Sequence, residues 1–287
     1  MEQIKGFSLL FSESHNKLLK EIFEPTGNLS VSGAGNFSSK AFIFCSLPRG
    51  GQKVIWLTTT GGQQENVHRS LVFWGGVKTD NLELLKQGDR QFNTDVTRLN
   101  DVHVMERISK LMGGEAYNLV VKYEDLFLKV PKKKDVESLT ETVKINEELE
   151  PVEFFERLIM AGYEISDDEH LEKGTYIKKG EVIEIFPVNF DFPIRLNLGF
   201  DKVESIEMSD ALGTYRGVKE ETGKGSIQIR PASVERKGNI LDFLGEKDLL
   251  VEDELEIFDE FFEQFNELIK NRKSKFRLFE IASFMED

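Results

Sequence analysis

Two short runs in the first half of the chain, Lys53–Thr59 (KVIWLTT) and Asn118–Tyr123 (NLVVKY), consist mainly of apolar, β-branched and aromatic residues. A strand that is apolar on both sides needs cover on both faces, which is the usual condition of a parallel sheet. Segments with helical spacing lie around these runs. Asn28–Ser32 reads as a short strand leading into the turn Gly33–Gly35. Ser39–Leu47 reads as an apolar helix stopped by Pro48-Arg49-Gly50-Gly51. Gly62–Trp74 repeats Val67, Leu71 and Trp74 at helical intervals, and Val102–Met112 is an amphipathic helix closed by Gly113-Gly114. Strands alternating with helices predict an α/β fold with a mostly parallel sheet.

The pattern changes after Pro131. Lys132-Lys133-Lys134 and the polar stretch to Thr142 read as a domain edge. Pro151–Ala161 is a short helix with Pro at its start and Gly162 after its end. Phe154, Phe155, Leu158 and Ile159 are expected to form its apolar face. Tyr176–Lys178, Glu181–Phe186, Ile194–Leu198 and Val203–Met208 then read as short antiparallel strands. α/β character returns with an apolar strand at Leu249–Glu252 and a long helix at Glu254–Asn271. One side of that helix is apolar and the other carries Glu256, Asp259, Glu260, Glu263 and Glu267.

Charge and composition narrow the range of functions. The 287 residues include 51 acids against 37 Lys and Arg, a formal charge of −14. Such a surface opposes phosphate backbones, whose binding rests on Lys and Arg displacing counterions. The one cysteine, Cys45, lies in an apolar run and permits no internal disulfide. Met1–Glu13 lacks the basic start and long apolar core of a signal peptide. No apolar run approaches the roughly 20 residues of a membrane helix. A cytoplasmic protein without a membrane partner is expected.

The segments that resemble catalytic motifs are incomplete. A phosphate-binding loop requires G-x-x-x-x-G-K-[ST] between strand and helix, so that backbone N–H groups and the lysine hold the phosphates. Gly33-Ala34-Gly35-Asn36-Phe37-Ser38-Ser39-Lys40 has the context without the register. From Gly33 the second glycine slot holds Ser38, and from Gly35 it holds Lys40, which stands one position late. Leu249–Glu254 ends an apolar strand in Asp253-Glu254, the place where a nucleotidase holds Mg²⁺. Without an intact loop this pair has nothing to act on. His15, His68, His103 and His170 show no ligand spacing, and no G-x-S-x-G occurs. No catalytic residue, metal or cofactor is expected, and the chain reads as a non-enzyme.

One continuous stretch carries more information. Residues 142–210 contain Asn146–Leu149, Leu158–Glu164, Gly174–Gly180, Glu184–Pro187 and Arg195–Ile206 in order. These resemble the patterns G-x-E-L, L-x-x-x-G-Y-E, G-x-[FY]-x-x-R-G, [DE]-I-[FY]-P and R-[IL]-[DE]-F-F-[GD]-D-E-[IV]-[DE]-S-[IL]. Those patterns belong to the second domain shared by UvrB and bacterial transcription-repair coupling factors. Leu29–Leu57 is more weakly similar to the family's first strand, turn and helix, and Ile229–Ala232 with Ile240–Glu254 to its later segments. The decayed loop favours the coupling factor over UvrB.

The resemblance implies a split, degenerate P-loop-NTPase-like (RecA-like) domain, residues 1–130 and 212–287. A small α+β domain, residues 131–211, is inserted into it. It implies docking of UvrA through a basic and apolar surface of the inserted domain. RNA polymerase and DNA would be engaged only through regions outside this sequence. Lys179 stands at the Arg of the family's R-G, and Arg195 at the Arg of R-[IL]-[DE]. Leu198 and Gly199 stand at the two Phe positions, with Phe200 displaced one place along. Moving an aromatic by one residue along a strand sends it to the other face unless the turn absorbs the shift. Lysine does not reproduce arginine's bidentate fork. Two other readings stand beside this one: a UvrB-type ATPase that processes damaged DNA, and a structural adaptor with an unknown partner; Lys179 and Arg195 can also be read as plain surface charges.

Overall fold

The computed structural model describes residues 29–31, 34–46, 51–84, 94–167, 171–200, 202–217, 225–253, 259–272 and 275–281. The chain divides into two units. The first comprises Met1–Glu83, Leu111–Leu128 and Asn239–Asp287, and the second Leu84–Lys110 and Lys129–Gly238.

Among the described residues, the first unit begins with strand β1 (Leu29–Val31) and helix α1 (Phe37–Cys45). Asn36 starts α1 by accepting a hydrogen bond from the Ser39 N–H at 3.0 Å, which satisfies one free donor of the first turn. Strand β2 (Lys53–Thr58) runs into helix α2 (Gly61–Gly75) through a Thr60/Gln63 capping box. Strand β3 (Lys78–Asn81) follows. Helix α3 (Thr94–Met112), most of which belongs to the second unit, leads back to strand β4 (Tyr117–Lys122) of the first.

The second unit adds strand β5 (Val130–Pro131), helix α4 (Lys133–Ser138), strand β6 (Glu141–Lys144) and helix α5 (Pro151–Met160). Next come β7 (Glu164–Ile165), β8 (Thr175–Lys179), β9 (Val182–Phe186), β10 (Ile194–Gly199) and β11 (Lys202–Ser209). Strands β12 (Tyr215–Gly217), β13 (Ser226–Ile229) and β14 (Arg236–Gly238) complete it. The chain then re-enters the first unit with β15 (Leu249–Asp253), α6 (Asp259–Lys270) and β16 (Arg277–Ile281).

In the first unit six strands form one parallel sheet in the order β1-β16-β15-β2-β4-β3. Val54, Ile55, Trp56 and Leu57 are all fully buried, as an unbroken apolar run requires. Phe44 of α1 meets Trp56 edge-on at 5.1 Å and Phe279 at 5.8 Å. Val67 and Leu71 of α2 join the same cluster. The anticipated strand at Leu249–Glu252 is β15. Of the anticipated helix Glu254–Asn271, residues 254–258 lie outside the described residues. Two strands, β3 and β16, have no counterpart in the sequence reading.

In the second unit the sheet order is β12-β11-β10-β9-β8-β7, antiparallel except for the β7–β8 pair. Tyr176, Ile183, Ile185, Ile194, Leu196 and Val203 point to its core. Helix α5 packs Phe154 and Leu158 into that core and stacks Phe155 on Tyr176, with ring centroids 5.2 Å apart. Ile159 is 60% exposed, so the expected four-residue apolar face is really two faces. After α5 the chain turns at Gly162, whose φ of +81° favours glycine. A Cβ there would also lie 2.7 Å from the Ser233 backbone nitrogen. Tyr163 donates a 2.6 Å hydrogen bond to the Arg230 carbonyl.

The unit boundaries differ from those expected. Residues 212–238 were assigned to the split domain, but β12 pairs with β11, β13 with β6 and β14 with β5. Residues 84–110 join the same unit. There Arg236 and Ser233 both bond to Asp101 of α3, and Lys173 bonds to Glu106 at 2.8 Å. The segment read as a domain edge, residues 132–142, holds α4 and the start of β6.

Candidate protein-docking site

Strand register builds the site. Arg195 of β10 lies directly across from Glu184 of β9 on one side and Glu207 of β11 on the other. Side chains of one register row share a face, and here it is the face opposite the core. The Arg195 guanidinium donates to Glu184 Oε1 from Nη2 at 2.6 Å and from Nε at 3.0 Å. Its Nη1 lies 3.8 Å from Glu207 Oε2. The Tyr215 ring of β12 covers its flat face, with the guanidinium carbon 3.8 Å from the ring centroid.

Lys179, at the end of β8, approaches Glu184 Oε2 at 3.6 Å. Glu184 is thus a buried carboxylate shared between two cations. The Arg195 side chain keeps about a third of its surface in water, at 32% exposure. Burial, and after it the charge of Glu184, raises the Tyr215 phenol above its ordinary pKa of 10.0. The phenol therefore stays protonated at neutral pH. The arrangement is a guanidinium fixed on three sides and open on one, suited to meeting a partner's carboxylate or carbonyl groups.

An apolar tip stands at the other end of the same strand. Gly199 pairs with Lys202, and Phe200 directly follows the end of β10. Phe200 has a φ of +50° and a ring fully in solvent. The backbone there, not the strand's alternation, sets its direction. Opposite it, the register skips Glu204, since Asn197 pairs with Ser205 but Leu198 with Val203. The bulged Glu204 side chain lies over Gly199, where a Cβ would come 2.0 Å from its carboxylate oxygen. Gly199 is therefore a spacer. Leu198 is 7% exposed and belongs to the core, which corrects its placement among contact residues. The Lys179 turn lies at the same end as Phe200, because the Leu198 N–H donates to the Glu181 carbonyl at 2.8 Å.

The structure joins Lys179, Arg195 and Phe200 on one sheet and adds three residues the sequence reading missed: Glu184, Glu207 and Tyr215. Glu184 gave one signal, an acid between Ile183 and Ile185 in an apolar strand. The partners of Arg195 depend on register, which no local pattern reveals.

The candidate nucleotide elements lie in the first unit. Gly33 and Glu254 fall outside the described residues. Gly35 and Asn36 precede α1. Lys40 and Asp253 come together although 213 positions apart. Lys40 is 1% exposed, and its Nζ lies 2.5 Å from Asp253 Oδ1. The Trp56 indole N–H donates to Asp253 Oδ2 at 3.2 Å. Each charge is compensated inside the fold, as a buried pair requires. Among the described residues no group of three or more His, Cys, Asp or Glu side chains is placed to hold a metal. No described helix is long and apolar enough to cross a membrane.

Comparison with known proteins bears on the second unit. Residues 142–243 match the family model described as UvrB interaction domain. The stretch runs from β6 through β14 and includes every residue of the Arg195 face. The UvrABC system protein B of Methanosphaera stadtmanae is 31% identical over 78 residues, which is 27% of this chain and 12% of that protein's length. The match thus covers a small part of the relative. Residues 142–243 of this chain are a UvrB-like region of the interaction-domain type.

Proposed function

We propose that the chain is a non-catalytic docking module of nucleotide excision repair, and that the Lys179–Arg195–Phe200 face of its second unit binds UvrA. The observation that carries this reading is the held guanidinium of Arg195, inside the region matching the UvrB interaction domain. A charged group fixed before contact loses little freedom on binding, and a nearby exposed aromatic supplies apolar area.

The first unit supports the non-catalytic part of the reading. Its parallel sheet, the helix α1 after β1 and the apolar strand β15 ending in Asp253 are compatible with a decayed phosphate-loop fold. Within that arrangement, however, Lys40 is paired with Asp253. A lysine so paired, with the loop out of register, favours a coupling-factor relative over a working ATPase. Polymerase and DNA would then be engaged through regions beyond this sequence. The rival UvrB-type ATPase would require Lys40 to leave Asp253 and take up a phosphate. Calorimetric titration with ATP and Mg²⁺ separates the two, saturable binding supporting the ATPase.

The deciding experiment is titration of purified UvrA into the chain, with Lys179→Ala, Arg195→Ala and Phe200→Ala in parallel. Wild type is expected to bind and each variant to lose more than about 1 kcal/mol. Arg195→Ala also removes the main partner of Glu184, so its fold is checked by circular dichroism. Failure of wild type to bind would leave the adaptor reading in its place.

A further inference from the structure

Helix α5 is apolar on two opposite faces. Phe154 and Leu158 are fully buried, while on the reverse Val152, Ile159 and Met160 are 63%, 60% and 71% exposed. At 3.6 residues per turn, Val152, Glu156 and Ile159 fall within an arc of about 60°, and Met160 borders it. Ile165, on β7 at the free edge of the sheet, is 66% exposed. Large apolar side chains held together in water mark an interaction surface more often than isolated ones do.

The charge of the helix in and beside the stripe is acidic, while Lys178 of β8 flanks its other side over Phe155, 5.7 Å from the ring centroid. Glu156 lies inside the stripe and is exposed, and Glu153 borders it. Glu150, at the start of the helix, is exposed as well. The helix's basic residue, Arg157, is drawn aside to Glu141 at 3.0 Å and to Glu153 at 3.9 Å. Any occupant must therefore bring apolar side chains together with positive charge.

We propose that this stripe seats a basic amphipathic helix from another protein. Apolar side chains of such a helix would cover Val152, Ile159 and Met160, and a Lys or Arg would meet Glu156. Charge argues against the other occupants. A second copy packed about a two-fold axis would bring the Glu153 and Glu156 pairs against each other. An anionic lipid surface would face the same carboxylates and a chain of formal charge −14.

The site is distinct from the docking face. Helix α5 packs on the Tyr176 side of the sheet, whereas Arg195 projects from the other side. The two surfaces can therefore be occupied independently.

The test uses the whole chain and two synthetic helical peptides, one of leucine and lysine, the other with glutamate in place of lysine. Calorimetry measures affinity and amide NMR shifts locate the site. The lysine peptide is expected to saturate one site, with shifts centred on Val152–Met160. The exposed double substitution Ile159→Ser with Met160→Ser should weaken it at least ten-fold, and Glu156→Lys should transfer the preference to the glutamate peptide. Arg195→Ala should leave peptide binding unchanged, which separates this proposal from the UvrA reading. Four results would overturn it: no saturable binding, shifts centred elsewhere, self-association in ultracentrifugation through this helix, or co-sedimentation with phosphatidylglycerol vesicles in preference to the peptide.

Discussion

Phe200 combines two unfavourable features, a φ of +50° and a ring wholly in water. A left-handed backbone costs a bulky L-residue about 1–2 kcal/mol, and asparagine tolerates it better. Phe200→Asn is therefore expected to stabilise the second unit by about 0.5–1 kcal/mol in urea unfolding, while weakening UvrA binding. Loss of stability in that variant would mean the ring contributes to folding, and its role as a docking anchor would lose its basis. The sequence placed an aromatic at this spot but could not orient it. Leu198, Gly199 and Phe200 differ in fate because Glu204 bulges opposite them, and a bulge is a property of the paired strands. Arg195 was legible from its motif, whereas its clamp of Glu184, Glu207 and Tyr215 came from three other strands.

Elements with a strong local signal were legible to within a few residues. Strand β2 differs by one residue from the Lys53–Thr59 expected, because a run of buried apolar residues needs no partner to be recognised. Strand β3 (KTDN) and the two-residue β5 carry no such signal, and exist because neighbouring strands supply their hydrogen bonds. The tie between α1 and β15 was half legible. Lys40 and Asp253 were both singled out as remnants of a nucleotide site, and their direct pairing appears only in the fold. Removing one partner of a buried pair strands the other charge, at a cost of about 3–5 kcal/mol, whereas replacing both with apolar groups is often neutral. Lys40→Ala should therefore lower the stability of the first unit by about that amount. Lys40→Met combined with Asp253→Leu should recover most of the loss. Both tryptophans, Trp56 and Trp74, lie in this unit, so their fluorescence in guanidinium reports it directly. Equal losses in the single and double variants would show that packing, rather than charge compensation, governs the site.

For the whole molecule, the chain passes between the two units four times, at 83/84, 110/111, 128/129 and 238/239. The sequence reading placed two crossings, because composition changes at Pro131 but not where β13 and β14 return to β6 and β5. Each unit also holds a carboxylate that links folding to pH. In the second unit burial opposes ionisation of Glu106, but the Lys173 hydrogen bond with Arg107 and Lys110 outweighs it and lowers the pKa below 4.5. In the first unit burial likewise opposes Asp242, and Arg272 and Lys275 lower it below 3.8. A carboxylate depressed by folding stabilises the native state above its unfolded pKa, and that contribution is lost as pH falls through the folded value. Stability should therefore be level above about pH 5 and fall through pH 4 and below, as the acids protonate and the chain becomes cationic. Asp242→Asn should flatten the acid limb seen by tryptophan fluorescence, and Glu106→Gln should flatten the one seen by amide signals of the second unit. Each substitution is expected to act on its own unit. If Glu106→Gln instead changed the tryptophan-detected limb as much as Asp242→Asn does, the two units would unfold as one in acid.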